Sequence, residues 1–239
     1  MQLIGKNYYV KIALVGILSL ACNKEKNGTP ATDKSLIDNF TNGNDGWTGD
    51  FADYPNETDL APKYQFEFSY SGLPNPLNNS DGSLKQSGIN RSDDLFMFMK
   101  KKVSGLVPGK VYNVNCKLEF ATNAASNMIG AGGAPGEGVS IKFGAVLLEP
   151  VKLLNLPENW FRMNIDKGNQ SVGGADMKVI SDFANGTNQN IYTLKKVTTT
   201  SPINVTANQQ GEIWLIVATD SGFEGITTIY YNSIQIDIK

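Results

Sequence analysis

Histidine is absent from all 239 residues. That removes Ser-His-Asp and Cys-His catalysis, the usual zinc ligand sets and the commonest general base at neutral pH. Cysteine is almost absent: Cys22 and Cys116 are the only two. Cys116 lies in Tyr112-Asn-Val-Asn-Cys-Lys-Leu-Glu-Phe120, where alternation turns it toward a core, so it reads as an inert buried thiol. Charge is sparse and balanced, with 21 basic against 23 acidic residues and a net charge of −2. A nucleic-acid partner needs a clustered basic face, and none is expected. The single basic run, Lys100-Lys101-Lys102, reads as a solvated strand end. Helical periodicity is nearly missing too, and the longest apolar run is too short to span a bilayer as a helix.

What is present begins with a leader. Lys6 and Lys11 precede the apolar stretch Ile12–Ala21, which ends at Cys22. A charged start, a short apolar run and a small residue before the break make a secretory signal. The cysteine placed directly after it resembles the signal of bacterial lipoproteins of the Bacteroidetes type. That resemblance implies acylation of Cys22, export across the inner membrane and a lipid anchor in the cell envelope, with the outer membrane as the expected site. The alternative is an ordinary signal peptide with Cys22 a bystander. Asn23–Lys34 is polar and carries Gly28 and Pro30, as a flexible tether would. The expected organisation is a signal peptide at 1–21, a tether at 22–34 and one domain at 35–239.

The body reads as β-sheet. Phe66, Phe68 and Tyr70 share one face of a strand; Val139, Ile141, Phe143, Ala145 and Leu147 share another; Ile234, Ile236 and Ile238 close the chain. Leu95–Met99 and Ile213–Ala218 are apolar throughout, as in strands covered on both sides, and Trp214 is expected in the core. Further strands are expected at Lys178–Phe183 and Ile191–Val197. Pro108-Gly109, Asn185-Gly186, Gln210-Gly211 and Ser221-Gly222 mark turns. The expected fold class is all-β, an antiparallel β-sandwich of jelly-roll type. Asp45-Gly-Trp-Thr48, Ser104–Tyr112 and Tyr230–Ile238 resemble strands of jelly-roll carbohydrate-binding modules. Asn90–Phe98 and Asp220–Gly225 are similar to segments of an uncharacterised bacterial extracellular family.

Four polar or glycine-rich segments are candidate sites. Asp45–Asp59 mixes five carboxylates with aromatics, and Asp45, Asp50 and Asp53 could hold a structural calcium. Gly130–Gly138 lacks the lysine of a phosphate loop and reads as a turn. Asn164–Asp176 offers Asp166, Lys167, Asn169, Gln170 and Asp176 as hydrogen-bonding groups for sugar hydroxyls, or is a surface Ω-loop. In Asp220–Gly225, Asp220 and Glu224 could meet across a turn. Trp47, Tyr54 and Trp160 are candidate stacking platforms for sugar rings. Arg91, followed by Asp93 and Asp94, is expected to form an ion pair that fixes the entry of the next strand.

Three functions compete on these residues. The first is non-catalytic glycan binding, with polysaccharide as partner. The second is adhesion to, or assembly with, another envelope protein. The third is glycoside hydrolysis by two carboxylates drawn from Glu119, Glu137, Asp166, Asp176, Asp220 and Glu224; it requires two of them to converge in a cleft, one with a raised pKa.

Overall fold

The computed structural model describes residues 33–239; the leader and Cys22 lie outside the described residues. Fifteen strands follow in chain order: β1 (Lys34–Asp38), β2 (Thr48–Ala52), β3 (Tyr54–Pro55), β4 (Glu67–Gly72), β5 (Gly82–Ile89), β6 (Leu95–Val103), β7 (Val111–Thr122), β8 (Val139–Val146), β9 (Lys152–Asn155), β10 (Trp160–Met163), β11 (Met177–Asp182), β12 (Thr193–Thr198), β13 (Ile203–Thr206), β14 (Ile213–Ser221) and β15 (Ile226–Ile238). One sheet runs β12-β7-β15-β5-β4, with β1 added on β15 and β13 on β7; the second runs β11-β8-β14-β6-β2. Successive strands β5, β6, β7 and β8 switch between the two sheets, and β14 and β15 return to insert between them. This is the jelly-roll order, and every pairing is antiparallel.

Alternation explains the main core. Tyr112, Val114, Cys116, Leu118 and Phe120 from β7, and Ile234, Ile236 and Ile238 from β15, meet Ile141 and Phe143 from β8 and Leu215 and Val217 from β14. Burial pushes the free Cys116 thiol well above its ordinary range, as expected of an inert thiol. The alternating set on β8 ends one residue early: the strand stops at Val146 and Leu147 stands exposed. Tyr70 is also half exposed, within edge strand β4.

The two all-apolar runs are neighbours, β6 and β14, paired along their whole length. Their second face is covered as their sequence requires. Phe96, Phe98, Ile216 and Ala218 pack with Ala52 and Met177, under Met163 and Ile165. The cover is a third small sheet, β3-β10-β9, and the loop that follows it. Trp214 does not join the core. It lies out of phase with Ile213 and Leu215, so it faces outward, half-buried, with the Lys100 and Lys102 ammonium groups 5.6 and 5.7 Å from its ring centre. Each lysine of the basic run has an acidic partner: Glu149 for Lys100, Asp38 for Lys101 and Glu212 for Lys102.

Candidate functional site

Where the third sheet covers the second, ionisable groups lie beneath it. Lys142 is on the outward face of β8, directly across the ladder from Ala218, and is fully buried. Its ammonium uses all three protons. It donates to Asp220 Oδ2 at 2.8 Å, to the Lys167 carbonyl at 2.9 Å and to the Val172 carbonyl at 3.0 Å. Lys167 reaches the same Asp220 oxygen at 3.0 Å and Asp53 Oδ2 at 2.8 Å. Arg162 of β10 contacts Asp53 at 3.2 Å and Asp94 at 3.3 Å, and Glu158 on its solvent side at 3.0 Å. Carboxylate oxygens of Asp53, Asp94 and Asp220 all lie within 4.8 Å of one another.

The local chain explains the convergence. Asp53 sits in the left-handed region at φ 68°, which aspartate tolerates better than most residues, and this turns its carboxylate under β10. Its N–H donates to the Phe161 carbonyl at 2.8 Å. Asn90 acts as a clamp. Its side-chain amide donates to the carbonyls of Ser221 and Phe223, and its side-chain oxygen accepts from the Ser92 N–H. The segments Asn90–Phe98 and Asp220–Gly225 are therefore joined, and the clamp delivers Asp94 to Asp220. Arg91 is not the partner of Asp94; Arg162 takes that place from 68 residues away.

The loop after β10 closes the site. Asp166 accepts from the N–H groups of Gly168 and Ala175, and these hydrogen bonds hold its carboxyl below the usual carboxylate range. The Asp176 carboxylate accepts from the Asp166 N–H, and the Gln170 amide donates to the Asp93 carbonyl. Gly168 adopts φ 69°, and a Cβ there would overlap the Val172 carbonyl, the same carbonyl that receives Lys142. We expect Gly168→Ala to cost about 1–3 kcal/mol in urea unfolding, whereas Gly186→Ala, at a positive φ but in open space, should cost less.

Electrostatics divides the group. Burial pulls the Lys142 ammonium below its ordinary value, outweighing the attraction of Asp220. Burial acts on Lys167 in the same sense, but Asp220 and Asp53 outweigh it and hold that ammonium above its ordinary value. Burial first, then the neighbouring Asp53 carboxylate, pushes Asp94 up to about 7. Above this group lies an open cavity of about 370 Å³, lined by Asp53, Asp94, Glu158, Arg162, Asp166 and Asn169 among others.

Several sequence expectations change here. Trp47 is no platform: it is fully buried, and its indole N–H donates to Asp38 at 2.8 Å. Tyr54 is buried in an aromatic stack with Phe51, Tyr64 and Phe161. Asp45, Asp50 and Asp53 do not form one calcium cage. Asp45 accepts from the Phe40 N–H, Asp50 pairs with Lys152, and Asp53 is held by Lys167 and Arg162. Asp220 and Glu224 do not meet, because Asp220 is buried beneath the loop while Glu224 is exposed, with Asp93 as the neighbour that pushes its carboxyl up. Trp160 stays half exposed on β10, its ring 4.6 Å from the Arg162 guanidinium. Asp166 and Asn169 line the cavity; Gln170 and Asp176 brace the loop. Lys142, Arg162 and Asp94 were not expected in a ligand site, and Lys167, expected among the loop's hydrogen-bonding groups, is instead buried on Asp53 and Asp220. The only trace of Lys142 in the sequence is a lysine inside an otherwise apolar strand.

No protein-family model matches the chain, and no curated protein matches it. Solved structures with a similar arrangement include the TmCBM61 module in complex with β-1,4-galactotriose, at 12% identity and TM-score 0.36, over 80% of this chain and 88% of that one. Another is a putative sugar binding protein from Bacteroides thetaiotaomicron, at 8% identity and TM-score 0.40, over 84% and 92%. A third is the enzymatically active domain of tailspike protein 4 from bacteriophage CBA120, at 10% identity and TM-score 0.35; this chain spans 19% of its length. Likenesses this distant carry no argument about function. The chain is an all-β, antiparallel two-sheet sandwich with a polar site built on its outer face.

Proposed function

We propose that the protein is a non-catalytic glycan-binding module of the cell envelope and that the 370 Å³ cavity is its binding site. The carrying observation is the chemistry of that wall. A polyhydroxylated ligand needs donors and acceptors converging from several sides. Asp94, Glu158 and Asp166 supply acceptors, Asn169 supplies a donor, and Trp160, outside the lining, offers an aromatic surface beside Arg162. The site is also rigid, because its floor is a hydrogen-bonded ion cluster on two central strands.

The start of the first described strand and the cavity lie at opposite ends of β6. Lys34 opens β1, and its ammonium donates to the Ser104 carbonyl just past the end of β6. The cavity stands at the opposite end of β6, where Asp94 precedes Leu95. The nine residues of β6 separate the two ends by roughly 26 Å at about 3.3 Å per residue.

Electrophoresis of the protein in native gels cast with different soluble polysaccharides tests this reading. We expect selective retardation in one glycan, reduced at least tenfold in apparent affinity by Trp160→Ala or Asn169→Ala. Equal mobility across a broad panel would sink the proposal.

A second reading has its own observation. Asp53 and Asp94 converge in the cavity wall, and the Asp94 carboxyl is raised, as an acid of a glycosidase pair would need. Release of reducing sugar from the retarding glycan, abolished in Asp94→Asn, would favour hydrolysis over simple binding.

A further inference from the structure

Four acids and three cations meet at the floor and wall of the cavity. The acids are Asp53 after β2, Asp94 before β6, Glu158 before β10 and Asp220 in β14; the cations are Lys142 in β8, Arg162 in β10 and Lys167 in the loop after it. The cations are already committed. Lys142 and Lys167 both sit on Asp220 Oδ2, Lys167 also holds Asp53, and Arg162 is shared between Asp53 and Glu158, with a longer contact to Asp94. Three cations face four acids, so one acid is in excess, and Asp94 has the longest contact of the set, its single ion pair to the shared Arg162 at 3.3 Å. The remaining titratable neighbours, Asp93, Asp166 and Glu224, are exposed and also acidic, so they do not supply the missing charge.

The oxygens themselves give the second observation. Among the described residues, Asp94 Oδ1 and Asp220 Oδ1 are both buried with no donor aimed at them. Carboxylate oxygens of the two side chains lie within 4.8 Å of each other. Two buried carboxylates in one cluster are costly when each keeps a bare oxygen, and a proton shared between them relieves both at once.

We propose that Asp94 and Asp220 share a proton across the cavity floor, so that Asp94 presents a ligand with a neutral carboxyl in mildly acid medium and a carboxylate in mildly alkaline medium. Asp220, gripped by two lysines, is the acceptor, and Asp94 carries the proton. As a form of regulation this rests on the glycan-binding reading of the cavity, but its test needs no ligand.

The test compares thermal unfolding of the wild type and Asp94→Asn from pH 5 to pH 8. An asparagine can donate to Asp220 permanently, as the neutral acid does. Unfolded Asp94 releases its proton near 3.8, so between that pH and neutrality only the folded state keeps it. Wild-type stability therefore falls as pH rises through this window. The Tm of Asp94→Asn minus that of the wild type should grow by about 5 °C from pH 5 to pH 8. A difference that stays constant overturns the proposal. Should Asp94→Asn fail to fold, carbon-13 titration of the wild-type aspartate carboxyls decides. One aspartate with a midpoint near neutrality supports the shared proton; all midpoints below 5 overturn it. Native-gel retardation that weakens above neutrality in the wild type but not in Asp94→Asn would extend the proton to ligand control. Titration without retardation by any glycan would keep the shared proton and discard the glycan.

Discussion

Replacing Asp220 with alanine is expected to cost about 3–5 kcal/mol of folding stability, because it strands buried positive charge. Lys142 is fully buried, and among the described residues Asp220 is its only anionic contact. Its other two hydrogen bonds go to neutral carbonyls, which orient the ammonium without cancelling its charge. Lys167 would lose one of its two carboxylates in the same change. The comparison that isolates charge is Lys142→Met/Asp220→Leu, which removes the buried pair together. It should recover much of the loss, since apolar replacements of buried ion pairs are often tolerated. Urea unfolding at pH 7 measures both. A cost below 1 kcal/mol for Asp220→Ala would mean that water reaches Lys142, and the buried floor of the site would have to be abandoned.

Replacing Trp47 should be comparably damaging, for reasons of volume. Its side chain is fully buried in the main core with Phe40, Met99 and Val103. We expect Trp47→Ala to cost about 3–5 kcal/mol. Trp47→Phe keeps most of the volume and removes the indole donor to Asp38, which Lys101 still holds at 2.7 Å. Its cost should be about 1–2 kcal/mol. Trp160→Ala, at a half-exposed position on a small sheet, should cost less than Trp47→Ala. The reverse order would contradict the assignment of Trp47 to the core and Trp160 to the surface.

The parts of the fold legible in the sequence are those set by local alternation. Cys116 and its neighbours in β7, the isoleucines of β15 and the double-sided runs of β6 and β14 follow from period two alone. Even the need for a cover over β6 and β14 was written in their composition. The identity of that cover was not, because β3, β9 and β10 are two to four residues long and too short to show a period.

The site was legible only in fragments. The loop carrying Asp166 and Asn169 announced itself by its amides and glycines. Lys142 did not, since a polar residue between Ile141 and Phe143 is the normal mark of a solvent face. Its burial depends on segments far along the chain, as does the Arg162–Asp94 contact that displaced the expected Arg91 pair. Trp47 misled for the opposite reason. A tryptophan among aspartates and glycines looks like a loop platform until Asp38 is found to receive its N–H.

The central claim is that the cavity above Asp53, Asp94 and Arg162 binds a glycan. The most direct measurement is a series of amide correlation spectra of the protein titrated with short oligosaccharides of the glycan that retards it in gels. The account expects saturable shifts clustered at Asp94, Arg162 and Asp166–Asn169, with Trp160 among them. Shifts confined to the exposed face of the seven-stranded sheet, around Lys117 and Gln235, would contradict it and move the binding site to the other side of the sandwich.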